Sequence, residues 1–488
     1  MSQINVSNLT FAYEGSYDNV FENVSFQLDT NWKLGFTGRN GRGKTTFLNL
    51  LLGKYEYSGS ISASVDFTYF PYEVKDRGAM ALDVLDEVCH NLEEWKLNRE
   101  LKVLDVDESI LYRAFSDLSN GEQTKLLLAA MFLNQNSFLL IDEPTNHLDL
   151  EGRELLSRYL RSKSGFILVS HDRFFLDGCV DHILSINKAN ITVTKGNFST
   201  WLANKARQDM FEQGENDKLM DQISHLNRAS ARTKVWSDKV ESEKIGNGPC
   251  DRGAIGAKSA KMMKRSKAIE KRRENAIEEK SKLLNNIERT EELKIHALNY
   301  YAKRYVELKN VAVMYECRTV CRPVTFTIEA GDRIALSGRN GSGKSSILKL
   351  ICGENIQYEG SFLRGSGLKI SYVEQDISSL NGSLYDYAQR YGIDDSLFRT
   401  ILRKLDFTRP QLEKDMVDLS LGQRKKVMIA RSLCERAHLY IWDEPMNYID
   451  VISRIQIEDL LLNFKPTICF VEHDREFCNR VATQIISI

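Results

Sequence analysis

An α/β fold laid down twice in tandem, with an α-helical hairpin joining the copies, is predicted by three observations on this 488-residue chain. Four stretches of sequence return in the same order in each half. Within each half, short apolar runs end in acidic residues, as strands covered on both faces do. Between the halves lies a charged stretch whose apolar residues fall at helical steps.

The recurrence sets the organisation. "GFTGRNGRGKTTFLNLLLG" from Gly35 is answered by "ALSGRNGSGKSSILKLICG" from Ala335, and "LSNGEQTK" from Leu118 by "LSLGQRKK" from Leu419. "LLIDEPTNHLD" from Leu139 returns as "YIWDEPMNYID" from Tyr440, and "LVSHDRFF" from Leu168 as "FVEHDREF" from Phe470. Ser119 follows Lys44 by 75 positions and Ser420 follows Lys344 by 76, while Glu143 and Glu444 each follow their serine by 24. Four stretches kept in order at kept intervals are an internal repeat. The expected domains are 1–202, 203–304 and 305–488, the middle one with its tip at about 243–256. Phe138–Ile141 and Leu439–Trp442 are the expected buried parallel strands.

Composition narrows the function classes. Hydrophobic residues at 42% and charged residues at 27% suit a globular protein with sizeable cores. The apolar runs, such as Leu126–Leu133, fall well short of the roughly 18 residues that a bilayer demands. The N-terminal "MSQINVSNLTFAY" has neither a basic nor a long apolar leader region, so a cytoplasmic location is expected, with no membrane path of the chain's own. Nine cysteines are scattered and only Cys317 and Cys321 lie close, which favours reduced packing thiols over a zinc site or disulfide. The near-neutral total hides a separation: residues 205–304 hold 23 Lys/Arg against 16 Asp/Glu, a net of +7 in a chain of net −1. A polyanion partner for the middle segment follows.

Gly38-Arg39-Asn40-Gly41-Arg42-Gly43-Lys44-Thr45 and Gly338-Arg339-Asn340-Gly341-Ser342-Gly343-Lys344-Ser345 both fit the phosphate-binding pattern G-x-x-x-x-G-K-[ST]. Glycines let backbone N–H groups wrap phosphates at a helix N-terminus, the lysine reaches the outer phosphates, and the hydroxyl of Thr45 or Ser345 ligates Mg²⁺. Thr46 and Ser346 extend the same loops. Asp142 and Asp443, at the ends of apolar runs, are placed to hold Mg²⁺ through its water shell. Glu143 and Glu444 are candidate general bases for an attacking water. His171 and His473, at the ends of later apolar runs, are candidates to contact the γ-phosphate, although either histidine alone would more often be a satisfied structural one.

Taken together, the glycine loop, LSxGE/Q, strand-DEP and SHD or EHD, in order and duplicated, resemble the ATP-binding-cassette (ABC) ATPases along both halves. The resemblance implies a head-to-tail sandwich with ATP and Mg²⁺ held between one half's P-loop and the other half's signature. The first site would join Lys44, Thr45, Asp142, Glu143 and His171 to Ser420 and Gly422, and the second Lys344, Ser345, Asp443, Glu444 and His473 to Ser119 and Gly121. Tyr13 and Tyr315 match the aromatic that stacks on adenine, and Asp149 and Asp450 match the D-loop. Gln375 in "SYVEQD" matches the glutamine that helps to ligate Mg²⁺, but "TYFPYE" places Tyr72 at that point, and a phenol is a poor Mg²⁺ ligand. Slower hydrolysis in the first site is expected.

Leu219, Ile223, Leu226 and Thr233, then Ile269, Ala276, Leu283 and Ile287, mark two helices meeting along a narrow seam. With "IGNGPCDRGAIGAKSAKMMKRSK" at the turn, this arrangement resembles the ABC-F ATPases, and within them the Lsa- and Vga-like antibiotic-resistance type that protects ribosomes. "DRGAIGAKSAKMMKRSK" and "SLGQRKKV" carry that finer likeness. What it implies is a monomer whose ATP form binds the bacterial 70S ribosome. The hairpin would point toward the P-site tRNA and peptidyl-transferase centre, displacing lincosamide, streptogramin A and pleuromutilin drugs until hydrolysis releases the chain. Lys258, Lys261, Lys264, Arg265, Lys267, Lys271, Arg272 and Arg273, with Glu270 as the one acid among them, would contact 23S rRNA through its phosphates. From the matched spacings 75 and 76 no sizeable arm is expected in the first half, and with the sequence ending at Ile488 no C-terminal extension is expected. A housekeeping ABC-F translation factor and the ATPase subunit of a transporter are the alternatives. A DNA-repair cassette, with far longer coiled coils or zinc sites, fits less well, and neither membrane nor DNA is an expected partner.

Overall fold

The computed structural model of the chain describes residues 2–488 apart from 14–18, 90–91, 135, 147, 187–190, 243–260, 262, 266, 273, 278–291, 316–317 and 379. These divide into two compact units, Met1–Ser199 with Thr290–Ile488, and Thr200–Arg289.

Each cassette in the larger unit is built on a parallel sheet. In the first cassette the strand order is Asp66–Phe70, Ser137–Asp142, Phe166–Val169, Lys33–Thr37, His182–Ile186, with Ile191–Lys195 added antiparallel at the edge. In the second it is Ile370–Val373, Leu439–Asp443, Ile468–Val471, Arg333–Ser337, Gln484–Ser487. The runs Phe166–Val169 and Ile468–Val471 are buried at every position, the pattern of strands covered on both faces. Beside each sheet stands a small antiparallel one, Phe21–Asp29, Gln3–Phe11 and Ser58–Ser62 in the first cassette. Helix Lys44–Leu51 closes the layer, with Phe47 and Leu48 wholly buried among Leu34, Phe36, Leu140 and Ile167. Burial of a side chain the size of Phe47 is worth about 1.5–3 kcal/mol, so this helix is locked to the central strands.

The two helices after the glycine loops begin at Gly43 and Gly343, both left-handed (φ 92° and 91°). A Cβ on Gly43 would also lie 2.6 Å from Val20 Cγ1, so glycine alone suits the turn. The signature serines cap the next functional helices, Asn120–Met131 and Leu421–Cys434. Ser119 and Glu122 form a reciprocal capping box, and Ser420 and Gln423 another. In this sense LSxGE/Q is a helix start before it is anything else.

The boundaries of the middle segment differ from those expected. Its first helix runs Phe198–Ser242, 45 residues and about 67 Å at 1.5 Å per residue. It begins before 203 because Phe198 is buried and Ser199 N donates to Asp177 Oδ1 at 2.8 Å. At the other end, Leu293 and Ile295 belong to the core of the second cassette, and Leu298 N donates to Ala437 O at 2.8 Å. That cassette is therefore joined by residue 293, ahead of 305. The spacing i, i+2 of Leu293 and Ile295 is that of an extended chain, which a helical reading of the polar surroundings conceals.

Within the smaller unit, residues 261, 263–265, 267–272 and 274–277 are also helical. Of the expected seam, Leu219 and Ala276 are buried and Ile223, Leu226 and Ile269 half-buried, amid mostly exposed neighbours. Leu283, Ile287, the side chain of Thr233, the tip 243–256, Lys258 and Arg273 lie outside the described residues. Lys261, Lys264, Arg265, Lys267, Lys271 and Arg272 are exposed. The described cysteines, Cys89, Cys179, Cys321, Cys352, Cys434, Cys469 and Cys478, are free thiols, and Cys317 is not among them.

Candidate nucleotide sites

Two clefts inside the larger unit are each built from both cassettes. The first, about 760 Å³, is lined by Tyr13, Asn40, Gly41, Gly43, Lys44, Thr45, Thr46, Tyr72, Asp142, Glu143 and His171 from the N-terminal half, and by Ser420, Gly422 and Tyr448 from the C-terminal half. The second, about 1190 Å³, brings Arg339, Asn340, Gly341, Ser342, Gly343, Lys344, Ser345, Ser346, Gln375, Glu444 and His473 to Ser119, Gly121 and Asp149. Gly38, Arg39, Arg42, Gly338, Asp443 and Tyr315 stand outside these linings. Asp443 sits directly behind, wholly buried at the end of its strand.

Contacts across the clefts define how the halves meet. Asn40 Nδ2 donates to Tyr448 O at 2.7 Å. A Cβ on Gly422 would come within 2.3 Å of Tyr448 O in its own cassette and of Asn40 Nδ2 from the other, so the signature glycine is required chiefly by the Tyr448 backbone, the Asn40 amide being the movable end of a side chain. Arg39 and Arg42 were expected at ATP, but their guanidinia reach Asp406 across the interface, each at 3.4 Å. Arg339 similarly pairs with Glu151 at 3.3 Å, and Arg475 with Glu154 at 2.7 Å.

Phosphate-reading groups are held ready by the loops themselves. Lys44 Nζ donates to Gly38 O at 2.6 Å and Arg39 O at 3.2 Å, and Lys344 Nζ to Gly338 O and Arg339 O, each at 2.8 Å. Burial pulls both ammonium groups below the ordinary lysine value, opposed by Asp450, Glu143 and Asp142 around Lys44 and by Glu444, Asp443 and Asp149 around Lys344. Thr45 Oγ1 donates to Asp142 Oδ2 at 3.2 Å. Asp443 Oδ1 is buried without a hydrogen bond, an oxygen that suits a hard divalent cation such as Mg²⁺. Tyr13 hydrogen-bonds Thr46 at 2.6 Å and Tyr315 donates to Ser346 at 3.4 Å, and both rings are 45% exposed, which leaves a face for a base.

The two carboxylate centres are not alike. Glu444 Oε2 accepts from Gln375 Nε2 at 2.9 Å and from Asn447 Nδ2 at 2.6 Å, while His473 Nε2 lies 3.4 Å from Oε1. Burial opposes ionisation of Glu444, yet the bond and charge of His473, with Lys425 and Lys344, hold it below the ordinary glutamate value. Glu143 has His171 Nε2 at 3.4 Å, too poorly aligned for a hydrogen bond to its buried Oε1. Burial, then the charge of Asp142, pushes Glu143 up to about 8. Burial and the nearby Lys44 and Arg454 keep His171 well below its ordinary value, so its imidazole is neutral. Tyr72 lines the first cleft where the second has Gln375, and Asp142 takes its extra hydrogen bond from Tyr69, at 3.1 Å.

Several contributors escaped the sequence reading. Asn447 stands three residues after Glu444, and its repeat partner Asn146 lines both clefts. The matched "PTN" and "PMN" carried that signal. Asp406 carries a fainter one: "LRKLD" ending at Asp406 answers "LKVLD" ending at Asp105, each aspartate 14 positions ahead of its signature serine.

Fold and sequence together define an ATPase built from two nucleotide-binding cassettes. A family model described as "ABC transporter" matches residues 21–146 and again 321–447, and the chain belongs to that family. Among relatives, the ribosome protection protein VmlR of Bacillus subtilis (strain 168) is 28% identical over 487 residues, covering 98% of this chain and 85% of VmlR. The ATP-binding protein Uup of Caulobacter vibrioides is also 28% identical, covering 96% of this chain and 74% of Uup. ABC transporter F family member 2 of Arabidopsis thaliana is 24% identical, covering 100% of this chain and 76% of its own length. Among solved structures, the complex of an archaeal ribosomal stalk protein, aP1, with the archaeal ribosome recycling factor aABCE1 superposes with a TM-score of 0.63 at 19% identity, covering 98% of this chain and 87% of that one. This is a likeness of fold. No described helix is long and apolar enough to cross a membrane.

Proposed function

We propose that this ABC ATPase is a cytoplasmic ABC-F protein that binds the bacterial 70S ribosome in its ATP form and leaves on hydrolysis. The observation that carries the reading is the pairing, in one chain, of two complete inter-cassette clefts with a separate helical unit, Thr200–Arg289, in which Lys261, Lys264, Arg265, Lys267, Lys271 and Arg272 are exposed. Both nucleotides favour the closed state, so ATP acts as a ligand that shifts a two-state equilibrium toward ribosome binding. Thr45 and Asp142 in the first cleft, and Ser345, Gln375 and Asp443 in the second, hold Mg²⁺ in this reading, and Glu444 with His473 serves as the faster hydrolytic centre.

The names of the relatives support the ribosome as partner, VmlR being a ribosome protection protein. By the same likeness the tip 243–256 approaches the P-site tRNA and peptidyl-transferase centre. The basic helix grips 23S rRNA, and lincosamide, streptogramin A and pleuromutilin drugs are displaced indirectly through rearranged tRNA and RNA. The test is co-sedimentation of a Glu143→Gln, Glu444→Gln double variant with 70S ribosomes. It should pellet with them in ATP and stay soluble in ADP. Failure to pellet in ATP would overturn the ribosome reading, while ribosome binding without added drug tolerance in a susceptible host would make the chain a housekeeping factor.

A further inference from the structure

The two signature helices part company one turn in. After Ser420-Leu421-Gly422-Gln423-Arg424 the second carries Lys425-Lys426, whereas the first has Thr124-Lys125 at the matching places. Lys425 is 1% exposed, and its ammonium donates to Glu374 O at 2.7 Å, Gln375 O at 3.2 Å and Asp443 O at 3.4 Å. Burying an ammonium is costly unless its donors are satisfied, so three backbone acceptors in one place are a built site. Two of the three lie on the exposed loop that carries Gln375, and the third is the carbonyl between Asp443 and Glu444. Lys426 turns the other way, to Leu405 O at 3.0 Å and Asp450 Oδ2 at 2.6 Å. Thr124, also buried, ends two bonds beyond its Cα and lacks the length for such a span.

We infer that Lys425 is a positioning residue for ATP hydrolysis in the second cleft. Its ammonium ties the Glu374–Gln375 backbone to the end of strand Leu439–Asp443, which keeps the Gln375 amide on Glu444 at 2.9 Å. The first cleft has neither the lysine nor the glutamine, so the support and the group it supports are missing together. The inference rests on the reading that Glu444 is the base of the second cleft.

Steady-state ATP turnover of the full chain carrying Glu143→Gln isolates the second cleft. Adding Lys425→Thr or Lys425→Met should lower kcat by about ten- to a hundredfold, the cost of a misplaced catalytic group, with the KM for ATP held within about twofold. Lys425→Arg should recover most of the loss. Unchanged kcat in the Thr and Met variants overturns the inference. So does a joint fall of kcat, ATP affinity and melting temperature that Lys425→Arg does not relieve, since that marks a purely structural lysine. An inactive Glu143→Gln parent overturns the reading of the second cleft, and this inference with it.

Discussion

Glu143 and Glu444 end matching strands and share a left-handed backbone, φ 50° and 46°. A non-glycine residue pays for that conformation, and such strain persists where the surroundings fix it. Their carboxylates meet different neighbours, however. Each has its histidine at 3.4 Å, but Glu444 also accepts from Gln375 and Asn447, which hold an ionised carboxylate in place, while the Oε1 of Glu143 is left without a hydrogen bond beside Asp142. Loss of a positioned general base costs roughly 10² to 10⁴ in rate. Glu444→Gln should therefore abolish about 99% or more of steady-state turnover, and Glu143→Gln should leave at least roughly a tenth of it. Equal losses in a side-by-side ATPase assay would remove the asymmetry.

Helices Arg173–Cys179 and Val451–Phe464 meet across the cassettes through a charge cluster. Glu458, with no exposed surface, takes Arg173 from the first cassette and Arg480, at 2.6 Å, from its own. Desolvation makes such a cluster weak evidence of net stability, but removing one member strands a buried charge. Glu458→Ala should cost about 3–5 kcal/mol, read as a lowered midpoint in urea. The combined Arg173→Met, Glu458→Leu variant should cost less than Glu458→Ala alone. What was legible in the sequence follows the same division between local and distant. The P-loops, the strand-end acids and the signature caps were readable because each is a contiguous pattern obeying a local rule. The Glu458 cluster, the hold of Asp406 on Arg39 and Arg42, and the docking of Leu293 and Ile295 were not, because residues more than a hundred positions apart make them. Tyr72 was legible as a departure from the repeat, but the three carbonyls on Lys425 required the fold.

On the scale of the whole molecule, charge is partitioned: residues 205–304 carry +7 and the remainder −8. In the ribosome-binding reading, such a division would keep the ATPase core from competing for the RNA that the middle segment holds. If Lys264, Arg265, Lys271 and Arg272 neutralise RNA phosphates, changing all four to Gln should flatten the dependence of log affinity on log salt by about 3 units, roughly 0.7–0.9 per contact. Ribosome co-sedimentation between about 50 and 200 mM KCl measures this. An unchanged slope would make them a solvated helix face.

Each cleft takes its P-loop from one half and its signature from the other half of the same polypeptide. Assembly of either site is thus an intramolecular event, governed by the effective concentration that the tether sets and not by how many copies a cell contains. If ATP closes the clefts as proposed, a sparse protein of this design would close as readily as an abundant one, since neither site draws a residue from a second copy.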